Sequence, residues 1–248
     1  MEQSFPSVGV LALLGLGLIF GLKHATEVDH VVAISTIVSQ NRNLLRSATV
    51  GALWGAGHTA ALLITGAIVL SLRVAIPARV SNWLEFCVAL MILGLGTSAL
   101  WRALRKRREV HVHKHSHDGV SHMHIHFHEA TTRHDQSPSS AHTHTVSAIG
   151  IKPVLIGTMH GLAGSGALTL LVLTQIKSAW LGLLYLAIFG VGSIVGMLLM
   201  SGIIGLPFAL TSRNLSGLHH RLQTAAAGLS IAFGLWYAYQ TGLASGLF

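Results

Sequence analysis

Six apolar stretches divide this chain, roughly Val8 to Val38, Ala48 to Leu72, Trp83 to Leu104, Ile149 to Thr174, Trp180 to Leu210 and Leu222 to Leu243. Each is long enough to cross a bilayer, which takes about 20 residues of helix. In hydrocarbon every backbone N–H and C=O must find a partner within the protein, so such runs become helices or a closed barrel. No run shows the ten-residue alternation of a barrel strand, so the expected fold is all-α and membrane-integral, with about six transmembrane helices. Composition agrees, since 51% of the 248 residues are hydrophobic and only 10% charged. The first run has no basic residue before it and no small-residue cleavage site, and reads as a retained span rather than a signal peptide.

Into the first run is set Gly21-Leu22-Lys23-His24-Ala25-Thr26-Glu27-Val28-Asp29-His30, with six polar or ionisable side chains. Charge in an apolar segment is costly and marks function by default. His24, Asp29 and His30 offer two imidazoles and a carboxylate, a ligand set suited to Ni(II), Co(II) or Zn(II). On a regular helix His24 and His30 would sit about 120° apart, with Glu27 between them and Asp29 on the far side. The groups converge only if the helix unwinds between Thr26 and Val28, so a kink or break is expected there.

Two further histidines lie in apolar runs beside small residues that let helices approach closely: His58 after Gly55 and Gly57, and His160 among Gly157, Gly161 and Gly164. The decapeptide resembles the H-A-x-D-x-D-H signature of the nickel/cobalt transporter families, with Glu27 standing where the pattern has Asp. Gly55-Ala56-Gly57-His58-Thr59 resembles their second motif, and the segment from Gly157 to Ser165 is similar to that of the six-helix, urease-accessory-type branch. The resemblance implies a three-plus-three helical transporter with Ni(II) or Co(II) as transported substrate and no tightly bound cofactor. It implies metal contact by His24, Asp29 and His30, with His58, Glu27 and His160 completing or gating the site.

The halves also resemble each other. Gly21 to His24 answers to Gly157 to His160, Gly55 to His58 answers to Gly190 to Ser193, and Gly96 answers to Gly234, at offsets of 136, 135 and 138. Repeats of three spans each must be inverted, the arrangement of many alternating-access carriers. The expected division is 1–104 and 149–248 for the two repeats, with 105–148 as a connecting loop. Twelve Lys and Arg fall on the loop's side of the spans and three on the other. That bias puts the loop in the cytoplasm and both termini outside the plasma (inner) membrane. It also accounts for the net charge of +8 without nucleic acid.

Eleven of the seventeen histidines lie between His111 and His144. His111, His113, His115, His117, His122, His124, His126 and His128 alternate with other residues, an auxiliary metal-binding tract in which the alternation permits a short strand when metal is bound. Cys87 is the sole cysteine, which excludes a thiol-relay oxidoreductase.

The function expected is secondary transport of divalent metal, by uptake, with the lipid bilayer and a cytoplasmic metallochaperone as further partners. An efflux carrier for nickel, cobalt or zinc is the alternative. A membrane di-iron hydroxylase or desaturase would need several clustered His boxes, whereas six histidines lie outside the tract and two share the signature. No H-E-x-x-H zinc-protease motif occurs, and the chain does not read as an enzyme.

Overall fold

The computed structural model describes residues 7–74, 76–108, 110–117, 120–127, 151–164, 176 and 178–248. Seven α-helices are described: α1 Ser7–His24, α2 Val28–Val38, α3 Leu44–Leu72, α4 Ala78–Arg108, α5 over 151–164, α6 Ala179–Asn214 and α7 Ser216–Ala238. A π-helical turn, Tyr239–Ala244, follows α7. Among the described residues three helices, α3, α4 and α6, are long and apolar enough to cross a membrane, and the bent pair α1–α2 makes a fourth if taken as one span. The run expected from Ile149 to Thr174 is described only as far as α5, and the rest of it lies outside the described residues.

Between α4 and α5 the backbone of the His tract forms two antiparallel strands, β1 Val110–His117 and β2 Val120–Phe127. Their register sets His111 opposite His126, His113 opposite His124 and His115 opposite His122. His128 lies outside the described residues.

The expected break in the first span falls between His24 and Val28, where α1 and α2 meet at 53°. Thr26 N–H and Glu27 N–H turn back to the carbonyls of Lys23 and His24, at 2.9 and 3.0 Å, and the Thr26 hydroxyl donates to the Lys23 carbonyl at 2.6 Å. Carbonyls left over at the end of α1 are thus satisfied locally, as a helix end in an apolar setting requires. Glu27 has extended backbone and starts α2 without capping it, which leaves its carboxylate for another partner.

The helices pack through small residues. A Cβ on Gly21 would collide with the Phe189 carbonyl of α6, and one on Gly157 with the Trp54 carbonyl of α3. Likewise Gly57 lies on the Val154 carbonyl and Gly192 on the Leu18 carbonyl. Gly96 lies on Ile231 in α7, and Gly234 on Leu93 in α4. Each pair is one contact made twice, because shifting either member by 135 to 138 residues generates the other. Between α2 and α7 the Thr36 and Ser230 hydroxyls share a hydrogen bond, and Gln223 Nε2 donates to the Ser39 carbonyl at 2.8 Å. The apolar core gathers Ile34, Val38, Val50, Trp54, Val88, Ile92 and Met197, while large apolar side chains such as Ile64, Leu72, Trp180, Ile203 and Leu210 point outward and are mostly exposed.

Replacing Gly57 by leucine should therefore destabilise the protein by at least the ~1–3 kcal/mol typical of an overpacked core, because the obstacle is backbone that cannot swing aside. The control is Gly94→Ala, where nothing lies within 4 Å of the added Cβ and melting in detergent should stay near wild type. Equal melting temperatures for the two variants would contradict the close contact of α3 with α5.

Candidate metal site

The break in the first span brings the signature residues to one place. His24 ends α1, Asp29 and His30 open α2, His58 comes from the middle of α3 and His160 from α5. His24 Nε2 faces His58 Nε2 at 3.2 Å, and His24 Nδ1 lies 3.0 Å from the Glu27 carboxylate. Asp29 spans two imidazoles, with one oxygen 3.1 Å from His30 Nδ1 and the other 3.2 Å from His160 Nε2. His30 also stacks on the Trp54 indole, with ring centres 5.6 Å apart and planes 8° from parallel.

These distances assign tautomers. A carboxylate can only accept, so His30 donates from Nδ1 and its Nε2 carries a lone pair. Likewise His24 donates from Nδ1 to Glu27, which leaves its Nε2 to accept from His58, and His160 donates from Nε2 to Asp29. The atoms left over are His30 Nε2, His58 Nδ1 and His160 Nδ1, all buried and without a hydrogen-bond partner among the described residues. His30, His58 and His160 are 3%, 0% and 2% exposed, so water does not reach these nitrogens freely. A buried polar atom with no partner is costly, and three in one cluster of histidines need an explanation.

Two groupings have ligand atoms within 4.8 Å of one another: His24 with His30 and His58, and Asp29 with His30 and His160. His30 belongs to both. A cavity of about 380 Å³ opens beside them, lined by His24, Glu27, Asp29, His30 and His160, and His58 is not part of its lining. The six residues expected at the site thus come together, although Glu27 is 56% exposed and, among the described residues, reaches the cluster through His24. Glu85 of α4 and Tyr237 of α7 were not expected there, yet both line the same cavity.

The chain is 38% identical over 248 residues to urease accessory protein UreH of Bacillus sp. (strain TB-90), covering 97% of this chain and 96% of that protein. The chain belongs to the UreH family. This UreH-family sequence is also 23% identical over 235 residues to Chloroplast protein FOR GROWTH AND FERTILITY 1 of Arabidopsis thaliana, covering 94% of the chain and 60% of that protein. No family model and no solved structure matches it. UreH is by its name a urease accessory protein.

Proposed function

We propose that this UreH-family chain is a secondary transporter of divalent transition-metal ions, Ni(II) and/or Co(II), acting in uptake to supply nickel for urease maturation. The observation that carries this reading is the set of buried, unpartnered imidazole nitrogens around Asp29 and His30. Imidazole suits Ni(II), Co(II) and Zn(II), and a carboxylate on the far nitrogen of a ligating histidine fixes its tautomer and raises its basicity. Glu27 serves His24 in this way, and Asp29 serves His30. The role of Glu27 is positioning, at second remove from the ion.

The two ligand groups make successive stations. The ion first meets Asp29, His30 and His160 on the cavity wall, then passes to His24, His30 and His58, of which only His58 is not in the lining, with His30 held throughout. The outward-facing apolar side chains of α3, α6 and α7 fit a lipid surround in the plasma (inner) membrane. The recurring glycine contacts support a six-helix inverted repeat, the arrangement that many alternating-access carriers use. The charge bias sets the termini outside and the His tract in the cytoplasm, where it buffers metal without forming the path. With no nucleotide-binding loop in the sequence, the drive is an ion gradient or the membrane potential.

Calorimetric titration of the detergent-purified protein with Ni(II) tests the site. A tight class of about one ion per chain, retained when residues 111–144 are replaced by a short linker and lost in His58→Ala, is the expected result. Tight binding confined to the His tract would overturn it.

A further inference from the structure

Three carboxylates lie among the described residues, Glu27, Asp29 and Glu85, and all three line one cavity. The first two belong to the cluster at the break. Glu85 comes from a different helix, α4, and is half-buried in an otherwise apolar stretch, where an ionisable group needs a reason. The Ser81 hydroxyl donates to its carboxylate at 3.5 Å, and Tyr237 of α7 lines the same cavity. Its cavity is shared with His30 and His160, each nearly fully buried and each with one nitrogen unpartnered.

The repeat adds direction. At the offset of 138 that relates Gly96 to Gly234, Glu85 answers to Gln223. Gln223 is spent on the Ser39 carbonyl and ties α7 to the end of α2. One end of the helix pair α4–α7 thus carries an acid beside an open cavity, and the opposite end carries a neutral amide in a closing contact. Arg102 and Arg105 stand towards the far end of α4 from Glu85, so the charge bias puts the acidic end on the non-cytoplasmic side.

We propose that Glu85, which shares the cavity with Tyr237, is a staging site for the incoming ion: it holds a hydrated divalent cation there before imidazole replaces its water. This rests on the metal-transport reading above and adds a second, weaker site to it. A carboxylate with a phenolic hydroxyl beside it suits a cation that keeps most of its water, because such sites bind through oxygen and hydration rather than by full ligation. A charge lining a cleft also raises the local cation concentration, and with it the capture rate, by about tenfold or more at low salt.

The test titrates purified full-length protein with Ni(II) alone and follows concentration-dependent flux in proteoliposomes. Wild type should show a tight class and a weak, salt-sensitive class outside the His tract, the latter measured in the variant with residues 111–144 replaced. Glu85→Gln, which keeps the shape, should lose the weak class and raise KM about tenfold at low ionic strength, with the maximal rate changed less than about twofold. Tyr237→Phe keeps the carboxylate and should weaken that class without removing it. A purely structural Glu85 would lower the maximal rate or the melting temperature and leave the number of classes alone. Retention of the weak class with an unchanged KM in Glu85→Gln would overturn the staging site, whereas absence of the tight class from wild type would overturn the cluster reading instead.

Discussion

Replacing His30 with alanine should reduce nickel flux roughly 100-fold or more, the largest loss expected from any single side chain here, since even a group one step removed from a metal costs about 10- to 100-fold. His30 alone belongs to both ligand groups, so its removal leaves each with two donors. The imidazole also stacks on Trp54, and alanine would open a void there. His30→Gln keeps much of the volume and separates packing from ligation. Both variants should lose transport, but only the alanine variant should also melt earlier. Flux near wild type in a well-folded His30→Gln protein would remove His30 from the ion's path.

Asp29→Asn should be almost as damaging although it changes one atom. The carboxylate accepts from His30 Nδ1 and His160 Nε2 at once, and an amide can accept from one while it must donate to the other. If the amide donates to His30 Nδ1, the ring proton moves to Nε2 and blocks the nitrogen that would face the metal. If it donates to His160, that ring is forced into the other tautomer. The variant also loses the charge that offsets a divalent ion in a buried setting. Orientation alone gives about a 10- to 100-fold loss of affinity for the ion. Titration with Ni(II) reads this directly, and an unchanged tight class in Asp29→Asn would show that neither the tautomers nor the charge matters.

The break between α1 and α2 was legible because His24, Asp29 and His30 cannot converge on one regular helix, and the structure unwinds between His24 and Val28 as that geometry demands. His58 and His160 were marked by the glycines around them, and those glycines do bring backbones together, at Val154 for Gly57 and at His58 for Gly161. What could not be read was which atoms pair. That Asp29 bridges His30 to His160 depends on how α2 and α5 approach, and local sequence carries no such distance. Glu85 had a readable signal, a lone carboxylate in the run from Trp83 to Leu104, but Tyr237, which lines the same cavity, lies 152 residues on and only the packing of α4 against α7 brings them together. The length of α6 is a further gain from the fold: its apolar run exceeds one crossing, and it continues as a single helix of 36 residues with Pro207 inside.

The central claim is that this chain carries nickel across a membrane through the cluster at the break. Radioactive Ni(II) flux into proteoliposomes of the purified protein, under an imposed membrane potential or proton gradient, tests it most directly. Saturable flux in wild type, abolished in His30→Gln and persisting when residues 111–144 are replaced by a short linker, is the predicted result. Flux no faster than in protein-free vesicles under every gradient, or equal flux in wild type and His30→Gln, would contradict it.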